Sequence, residues 1–286
     1  MEARVISGTE IRDTIKKDLT ERTARLARKP ALAIIQIGDN PESDVYVKQK
    51  MRFGEEIGCE VTHILLAEGE TEEGIIEEIR ELNADERISG IIVQLPLPEK
   101  IDADRALAAI DPAKDVDGLT PASLSRLLAG DLSGFIPATT KAVLKILEHA
   151  GQDAAGKRVT VVGRSNLVGK PTALALLALD ATVTVCHSKT EDLAEAAKQA
   201  DILIVAAGKK HLIGREHVAE GQIVIDVGIT AETGEDGKRK LYGDVDFDAV
   251  KDIVAAITPV PGGVGPLTVA SLFENVVRAQ EFAENK

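Results

Sequence analysis

Short, nearly uninterrupted apolar runs alternate with longer amphipathic ones along most of this chain. Residues 31–37 (ALAIIQI), 61–66 (VTHILL) and 90–95 (GIIVQL) are β-branched and almost free of polar breaks. That is the pattern of strands buried on both faces of a parallel sheet. Between them the spacing predicts helices over 42–58 and 71–84; in the second, Ile75, Ile76, Ile79 and Leu82 fall on one face. Thr9 and Thr71 are the expected N-caps. The alternation resumes at 158–163 (RVTVVG), 182–186 (TVTVC), 202–206 (ILIVA) and 223–227 (IVIDV), with helices expected over 168–179 and 190–199.

Alternating β and α elements predict an α/β fold with parallel sheets whose faces are covered by helices. The stretch 118–157, mostly helical in pattern, separates the two series and marks the expected domain junction. Two domains follow: an N-terminal parallel-sheet α/β domain, residues 1–118 plus 267–286, and a Rossmann-like domain over 119–266. A last strand candidate at 255–258 leads into a terminal helix near 267–284, expected to return to the first domain. The segment TAETGEDGKRK (230–240) reads as a polar hairpin or surface loop.

The length of 286 residues suits two domains. Basic residues number 34 and acidic residues 47, a formal charge of −13. That balance argues against a nucleic-acid backbone as partner. Five Phe, two Tyr and no Trp leave little to stack on bases. With 44% hydrophobic residues and so few rings, the core must be built from Ala, Val, Ile and Leu. Cys59 and Cys186, with no CxxC spacing, exclude a disulfide framework and a thiolate zinc site. The start, MEARVISGTEIRDTIKKDL, has no apolar h-region. One uncharged run, 253–273, is long enough to span a membrane, but its three prolines and three glycines are incompatible with a continuous spanning helix. The expectation is a reduced, cytoplasmic protein with no membrane partner and no metal site.

Several segments could carry chemistry. In VVGRSNLVGKP (161–171) a strand runs into Gly163, and Gly169 opens the next helix. Unpaired N–H groups and a helix dipole then face one point, which suits an anion. Only G-x5-G is present rather than G-x-G-x-x-G, so an ordinary βα turn stays open. An NAD-preferring unit places a carboxylate about 20 residues on. Here the next strand ends in His187, Ser188 and Lys189, with no acid before Glu191. A tip of that kind, with Arg164, suits a 2′-phosphate and favours NADP over NAD if a dinucleotide binds at all.

Tyr46 and Lys50 are i,i+4 on a predicted helix and leave the same face. In a cleft, such a Lys could titrate near neutrality; on the outside the pair is merely solvated. Gln94 falls at the C-terminal end of a buried strand, where open α/β sheets bind ligands, or simply marks the strand's end. Asp115 and Asp117 precede Gly118; they could bind a cation, cap a helix, accept from a nitrogen heterocycle, or form an Asx-type turn. The run PVPGGVGPLT (259–268) is too rich in Gly and Pro for a helix or strand and makes a stiff turn that backbone can bring close to a ligand.

In this order, SDVYVKQK, GIIVQLPLP, KDVDGLT, VVGRSNLVGKP, TVTVCHSKT, ADILIVAAGK, VIDVGI and TPVPGGVGPLT run from Ser43 to Thr268. Together they resemble the methylenetetrahydrofolate dehydrogenase/methenyltetrahydrofolate cyclohydrolase family, and ISGTEI near the N-terminus also fits. The resemblance implies NADP-dependent oxidation of methylene-tetrahydrofolate to the methenyl form and hydrolysis of that to formyl-tetrahydrofolate. It also implies a homodimer joined through the cofactor domain. Carried over by position, Lys50 is the central catalytic residue, Tyr46 its neighbour beside the folate, and Gln94 the partner that orients Lys50. Asp117 holds the pterin edge, and Pro261, Gly262, Gly263 and Val264 form the loop closing the folate pocket. Gly163, Arg164 and Ser165 form the phosphate turn of the NADP site, Ser188 contacts the 2′-phosphate, and Ile229 lies beside the nicotinamide.

Two departures from the family pattern stand out. Where Pro-Cys-Thr-Pro-x-Gly is common, this chain has Pro137-Ala138-Thr139-Thr140-Lys141-Ala142, so the following helix is expected to begin differently. After Lys50, where small residues or Cys are usual, Phe53 and Gly54 stand. A dehydrogenase with weak or absent cyclohydrolase activity is the alternative. A short-chain dehydrogenase would also use Tyr-x-x-x-Lys, but its glycine turn precedes the Tyr. A dinucleotide-binding sensor would not need Lys50, Gln94 and Asp117 together.

Overall fold

The computed structural model describes residues 2–233 and 239–285. In chain order the elements are β1 (Arg4–Val5), α1 (Gly8–Thr23), β2 (Ala31–Ile37), α2 (Pro41–Glu56), β3 (Glu60–Leu66), α3 (Glu72–Ala84), β4 (Gly90–Val93), α4 (Ala103–Ala108), α5 (Pro121–Leu128) and α6 (Ala138–His149). They continue as β5 (Arg158–Val162), α7 (Gly169–Ala178), β6 (Thr182–Cys186), α8 (Leu193–Lys198), β7 (Ile202–Val205), β8 (Ile223–Asp226), β9 (Thr230–Thr233), β10 (Arg239–Tyr242), α9 (Phe247–Val250), β11 (Ala256–Ile257) and α10 (Val264–Glu284). The chain forms two compact units. One holds Asp13–Arg126, Ser133–Ala138 and the C-terminal part from Val269; the other holds the N-terminal part up to Arg12, Leu127–Leu132 and Thr139–Thr268.

The first unit is built on a parallel three-stranded sheet in the order β3-β2-β4. All seven residues of β2 are buried, as its unbroken apolar run requires. Ile35, Ile37, Ile91 and Val93 meet Ile75 and Ile79 of α3 in one cluster with Ala106, Leu107 and Ile110. β3 departs from expectation. As an edge strand it alternates between exposed and half-buried positions, with Leu65 facing solvent. Thr71 caps α3 as expected, accepting from the Gly74 N–H at 3.1 Å. At the other end of α3, Lys114 Nζ donates to the carbonyls of Leu82, Asn83 and Asp85 at 2.9, 2.8 and 2.7 Å. These are carbonyls that a helix terminus leaves without partners.

Helix α10 contributes its later turns to this unit. Phe273 is fully buried, its ring centroid 5.4 Å from that of Phe53. A Cβ on Gly54 would come within 3.0 Å of the same ring. The unusual Phe53-Gly54 pair is therefore a packing solution: Phe53 fills the space beside Phe273, and Gly54 leaves room for it. Asn275 Nδ2 donates to the Val116 carbonyl at 2.8 Å, and Ser89 Oγ donates to Gln280 Oε1 at 2.8 Å.

The second unit carries a parallel six-stranded sheet, β1-β11-β8-β7-β5-β6. The boundary expected at 1–118 is corrected here. Arg4–Val5 pairs with Ala256–Ile257, so the first twelve residues cluster with this sheet. A two-residue strand with both side chains exposed leaves no apolar run to read. Thr9 lies inside α1, and Ser7 takes the capping place, its hydroxyl accepting from the Glu10 N–H at 3.4 Å. Helix α6 begins at Ala138 despite the altered sequence there. Thr140 and Thr172 are both buried and share a hydroxyl–hydroxyl hydrogen bond of 3.1 Å between α6 and α7. β9 and β10 pair antiparallel, as the expected hairpin over 230–240 requires, although its turn, 234–238, lies outside the described residues. Among the described residues no helix is long and apolar enough to cross a membrane.

Replacing Phe273 with Ala removes a fully buried ring. It should cost about 3–5 kcal/mol, measured by urea unfolding. A loss under about 1 kcal/mol would show that Phe53 and its neighbours collapse into the space.

Candidate active site

In the first unit, α2 presents one packed stripe. Ser43, Val47, Phe53 and Ile57 are buried, and Lys50 lies on that stripe rather than on the solvent face. A Lys at this position cannot remain fully hydrated, and Gln94 meets it. β4 ends at Val93, but the Gln94 N–H still donates to the Ile35 carbonyl at 2.8 Å, so the residue is fixed by the sheet. Its side chain is then held at both ends: Nε2 donates to the Leu95 carbonyl at 2.9 Å, and Oε1 accepts from Lys50 Nζ at 2.8 Å. Tyr46, one turn before Lys50, is 40% exposed.

Burial holds the Lys50 ammonium below its ordinary pKa, and the charge of Asp117 opposes that shift only in part. Asp117 responds in the converse way: burial raises its carboxyl, Lys50 pulls it down, and Asp115 pushes it up. Both groups are thus displaced towards their neutral forms. The two acids of the DVDG segment have separate fates. Asp115 is spent on the turn, its Oδ1 and Oδ2 accepting from the Leu119 and Thr120 N–H groups at 3.1 and 2.9 Å. Of the two acids, Asp115 alone ties down the turn, through N–H groups four and five residues on and not by an Asx-type bond. Gly118 closes it at φ +69°, where a Cβ would lie 2.7 Å from the Pro137 nitrogen. Asp117 makes no hydrogen bond of this kind among the described residues and is available for a ligand.

The second unit gathers the remaining expected residues along the C-terminal edge of its sheet. β5 and β7 are neighbours, and the chain steps from β5 outward to β6 and then back to β7, so the strand order reverses at β5. Open α/β sheets bind ligands in the crevice at such a point. Gly163 follows β5 at φ +129°, and a Cβ there would overlap the Ala206 carbonyl after β7. Gly169 is equally constrained: a Cβ on it would overlap the Gly163 carbonyl. Ser165 Oγ accepts from the N–H groups of Val168 and Gly169 at 3.2 and 3.3 Å, shaping the turn. Arg164 is exposed on this turn, and Ser188 is exposed on the turn after β6. No carboxylate stands at that strand's tip. A close-approach turn, a helix N-terminus and an exposed Arg fit a dinucleotide that carries a 2′-phosphate.

Ile229, 38% exposed, follows β8 on the same edge. The stiff segment ends sooner than expected, because Val264 is the first residue of α10 and not part of the loop. Pro261, Gly262 and Gly263 precede it. The Thr9 N–H donates to the Gly262 carbonyl at 3.3 Å, and Gly8 lacks the Cβ that would overlap the Gly263 carbonyl.

Sequence reasoning passed over two buried acids, Asp226 and Asp244. The signal was present: Asp226 ends IVID, a strand with no other polar residue. Among the described residues, no group of three or more His, Cys, Asp or Glu side chains could hold a metal ion.

Comparison with known proteins also separates the chain into two parts. Two family models match the chain: "Tetrahydrofolate dehydrogenase/cyclohydrolase, catalytic domain" over residues 6–117, and the NAD(P)-binding domain of the same family over 137–284. A relative named bifunctional protein FolD, from Geobacillus thermodenitrificans, is 47% identical over 283 residues, covering 98% of each chain. The crystal structure of the Campylobacter jejuni bifunctional methylenetetrahydrofolate dehydrogenase/cyclohydrolase superposes with a TM-score of 0.94 at 43% identity, covering 98% of this chain and 99% of that one. The Trypanosoma brucei enzyme, solved with NADP cofactor and inhibitor, gives 0.95 at 37% identity over the whole of both chains.

The charge of Asp117 supports the protonated form of Lys50. Asp117→Asn should therefore move the Lys50 titration to still lower pH, followed by NMR of the labelled lysine side chain. An unmoved midpoint would show that the two groups do not sense each other.

Proposed function

Because the chain belongs to the tetrahydrofolate dehydrogenase/cyclohydrolase family, we infer that it is a bifunctional one-carbon folate enzyme. It oxidises methylene-tetrahydrofolate to the methenyl form with NADP and hydrolyses that product to formyl-tetrahydrofolate. The observation that carries the second activity is the 2.8 Å hydrogen bond from a desolvated Lys50 to the uncharged Gln94. The three-stranded unit is the folate-binding and catalytic part, and the six-stranded unit is the NADP-binding part.

Hydride transfer asks for positioning more than for an acid or base. When bound, NADP supplies the hydride acceptor. Asp117 anchors the pterin edge, its two oxygens accepting parallel N–H bonds, and Tyr46 lies against the folate. Gly163, Arg164 and Ser165 receive the phosphates, Ser188 and Arg164 the 2′-phosphate, and Ile229 the nicotinamide.

Hydrolysis needs proton movement. Water attacks the electrophilic methenyl carbon, and a neutral Lys50 Nζ takes its proton; the ammonium then returns a proton to the ring nitrogen as the C–N bond breaks. Gln94 can only orient Nζ, because an amide adds no charge to stabilise the ammonium. A carboxylate in its place would raise the Lys50 pKa and leave less free amine near neutral pH. The site of action is the cytoplasm. The protein is a homodimer joined through the cofactor unit, a reading supported by the exposed edge strand β6, with Val185, and by Leu177 of α7.

The direct test is a spectrophotometric assay with methylene-tetrahydrofolate, run separately with NADP and NAD, following methenyl formation and its decay. Accumulation of the methenyl form without decay would favour a monofunctional dehydrogenase. Lys50→Met should lower methenyl hydrolysis about a hundredfold or more while NADP binding persists. Equal loss of NADP binding contradicts the role. Arg164→Ala should weaken NADP by about tenfold or more with little effect on NAD, as expected for one lost charged hydrogen bond. An unchanged NADP/NAD ratio would remove Arg164 from the 2′-phosphate site.

A further inference from the structure

Three successive backbone N–H groups, those of Ala207, Gly208 and Lys209, point from an exposed turn after β7 into the interior of the six-stranded unit. All three are taken by one fully buried carboxylate. Asp244 Oδ2 accepts from Ala207 and Gly208 at 2.6 and 2.8 Å, and Oδ1 accepts from Lys209 at 2.7 Å. Asp244 is itself seated by a second buried acid. Asp226 Oδ1 accepts from the N–H groups of Asp244 and Gly228 at 3.1 and 3.0 Å, and Oδ2 accepts from Val245 at 2.9 Å. The surroundings are cut to these side chains: a Cβ on Gly228 would overlap the Asp244 carboxylate, and a Cβ on Gly243 would overlap that of Asp226. Two acids therefore tie the turns after β7 and β8 to the segment 243–245.

The β7 turn starts at Ala206, the residue whose carbonyl abuts Gly163 at the strand-order reversal. It forms the opposite wall of the crevice assigned to the dinucleotide. We propose that Asp244, seated by Asp226, is a positioning residue for the cofactor: it fixes the β7 turn as the wall against which the nicotinamide half of NADP is held. This rests on the cofactor assignment above. A run of three converging N–H groups is also an anion cradle. By filling it with its own carboxylate, the protein leaves the Gly163 turn as the phosphate site and sets the direction in which the dinucleotide lies. Burial pushes the Asp226 carboxyl up to about 7 against the three N–H groups that favour its charge. Such a pair of buried acids is costly as a mere brace.

The test uses the full chain with Asp244→Asn, which keeps the size of the side chain but turns one acceptor into a donor. NADPH affinity is read by fluorescence titration, and backbone exchange by hydrogen–deuterium measurements. The dissociation constant should rise about tenfold or more, the size of one or two lost charged hydrogen bonds. The Ala207–Lys209 amides should exchange faster while those of β5, β7 and β8 stay protected. Asp226→Asn, which leaves the Asp244 carboxylate in place but loosens its seat, should shift both readouts the same way by less. It carries the test if the first variant does not fold. Faster exchange at 207–209 with unchanged NADPH affinity overturns the proposal, as does loss of protection throughout the sheet, which marks a brace only. A wild-type chain that binds no NADPH overturns instead the cofactor assignment on which the proposal stands.

Discussion

The desolvation of one amine constrains the three-stranded unit more than any other interaction. Lys50 lies on the packed stripe of α2, between buried Val47 and buried Phe53. Its ammonium is therefore denied most of the water that would hold its pKa at the ordinary value. The partners around it set how far the shift goes. Gln94 supplies a hydrogen bond without charge, and Asp117 supplies charge without a hydrogen bond among the described residues. Exchanging those two roles would restore an ordinary, protonated lysine. The arrangement also explains why Gln94 must be rigid. Its backbone continues the β4–β2 ladder, and its amide nitrogen is tied to Leu95, so Oε1 has one direction in which to point.

The six-stranded unit works by the opposite means. There the groups that matter are backbone N–H donors and glycines, which the fold holds in place, with Arg164 as an exposed charge on the turn. Gly163 allows β5 and the β7 turn to touch, and Ser165 orders the start of α7 through two N–H groups. Charge appears one layer below, in Asp226 and Asp244, where it shapes the turns and does not meet solvent. Fixed dipoles of this kind need no reorganisation when an anion arrives, which is what a binding turn requires.

Much of this was legible in the sequence, for reasons that differ by residue. The β2 and α3 patterns were readable because burial is their only requirement: Ala31–Ile37 is buried throughout, and Ile75 and Ile79 face the core. β1 was not, because a strand of two exposed residues leaves no hydrophobic trace, and its sheet partners lie some 250 positions away in the chain, at Ala256 and Ile257. The edge character of β3 was hidden because VTHILL looks the same whether one or both of its faces are covered. The departure at Phe53-Gly54 could be noticed but not explained without Phe273, which is distant in sequence. Lys50, Gln94 and Asp117 were visible as candidates from helix spacing, a strand end and paired acids, and motif order gave them roles by resemblance. Their solvation, which decides whether a lysine is a base or an ornament of the surface, depends on packing that no local pattern encodes.

The acids make the general point. Asp115 and Asp117 are separated by one residue and are chemically identical, yet the fold gives them different work. Asp115 has both oxygens occupied by the backbone of its own turn, so its charge is committed to local structure. Asp117 accepts no such backbone hydrogen bond among the described residues, and burial raises its pKa. Asp226 and Asp244 belong with Asp115, saturated by N–H groups from within the chain. The distinguishing quantity is therefore the number of internal donors that meet each carboxylate rather than burial, which all four share in part. A buried carboxylate with its donors supplied organises the chain around it, and one left without them keeps its acceptors open.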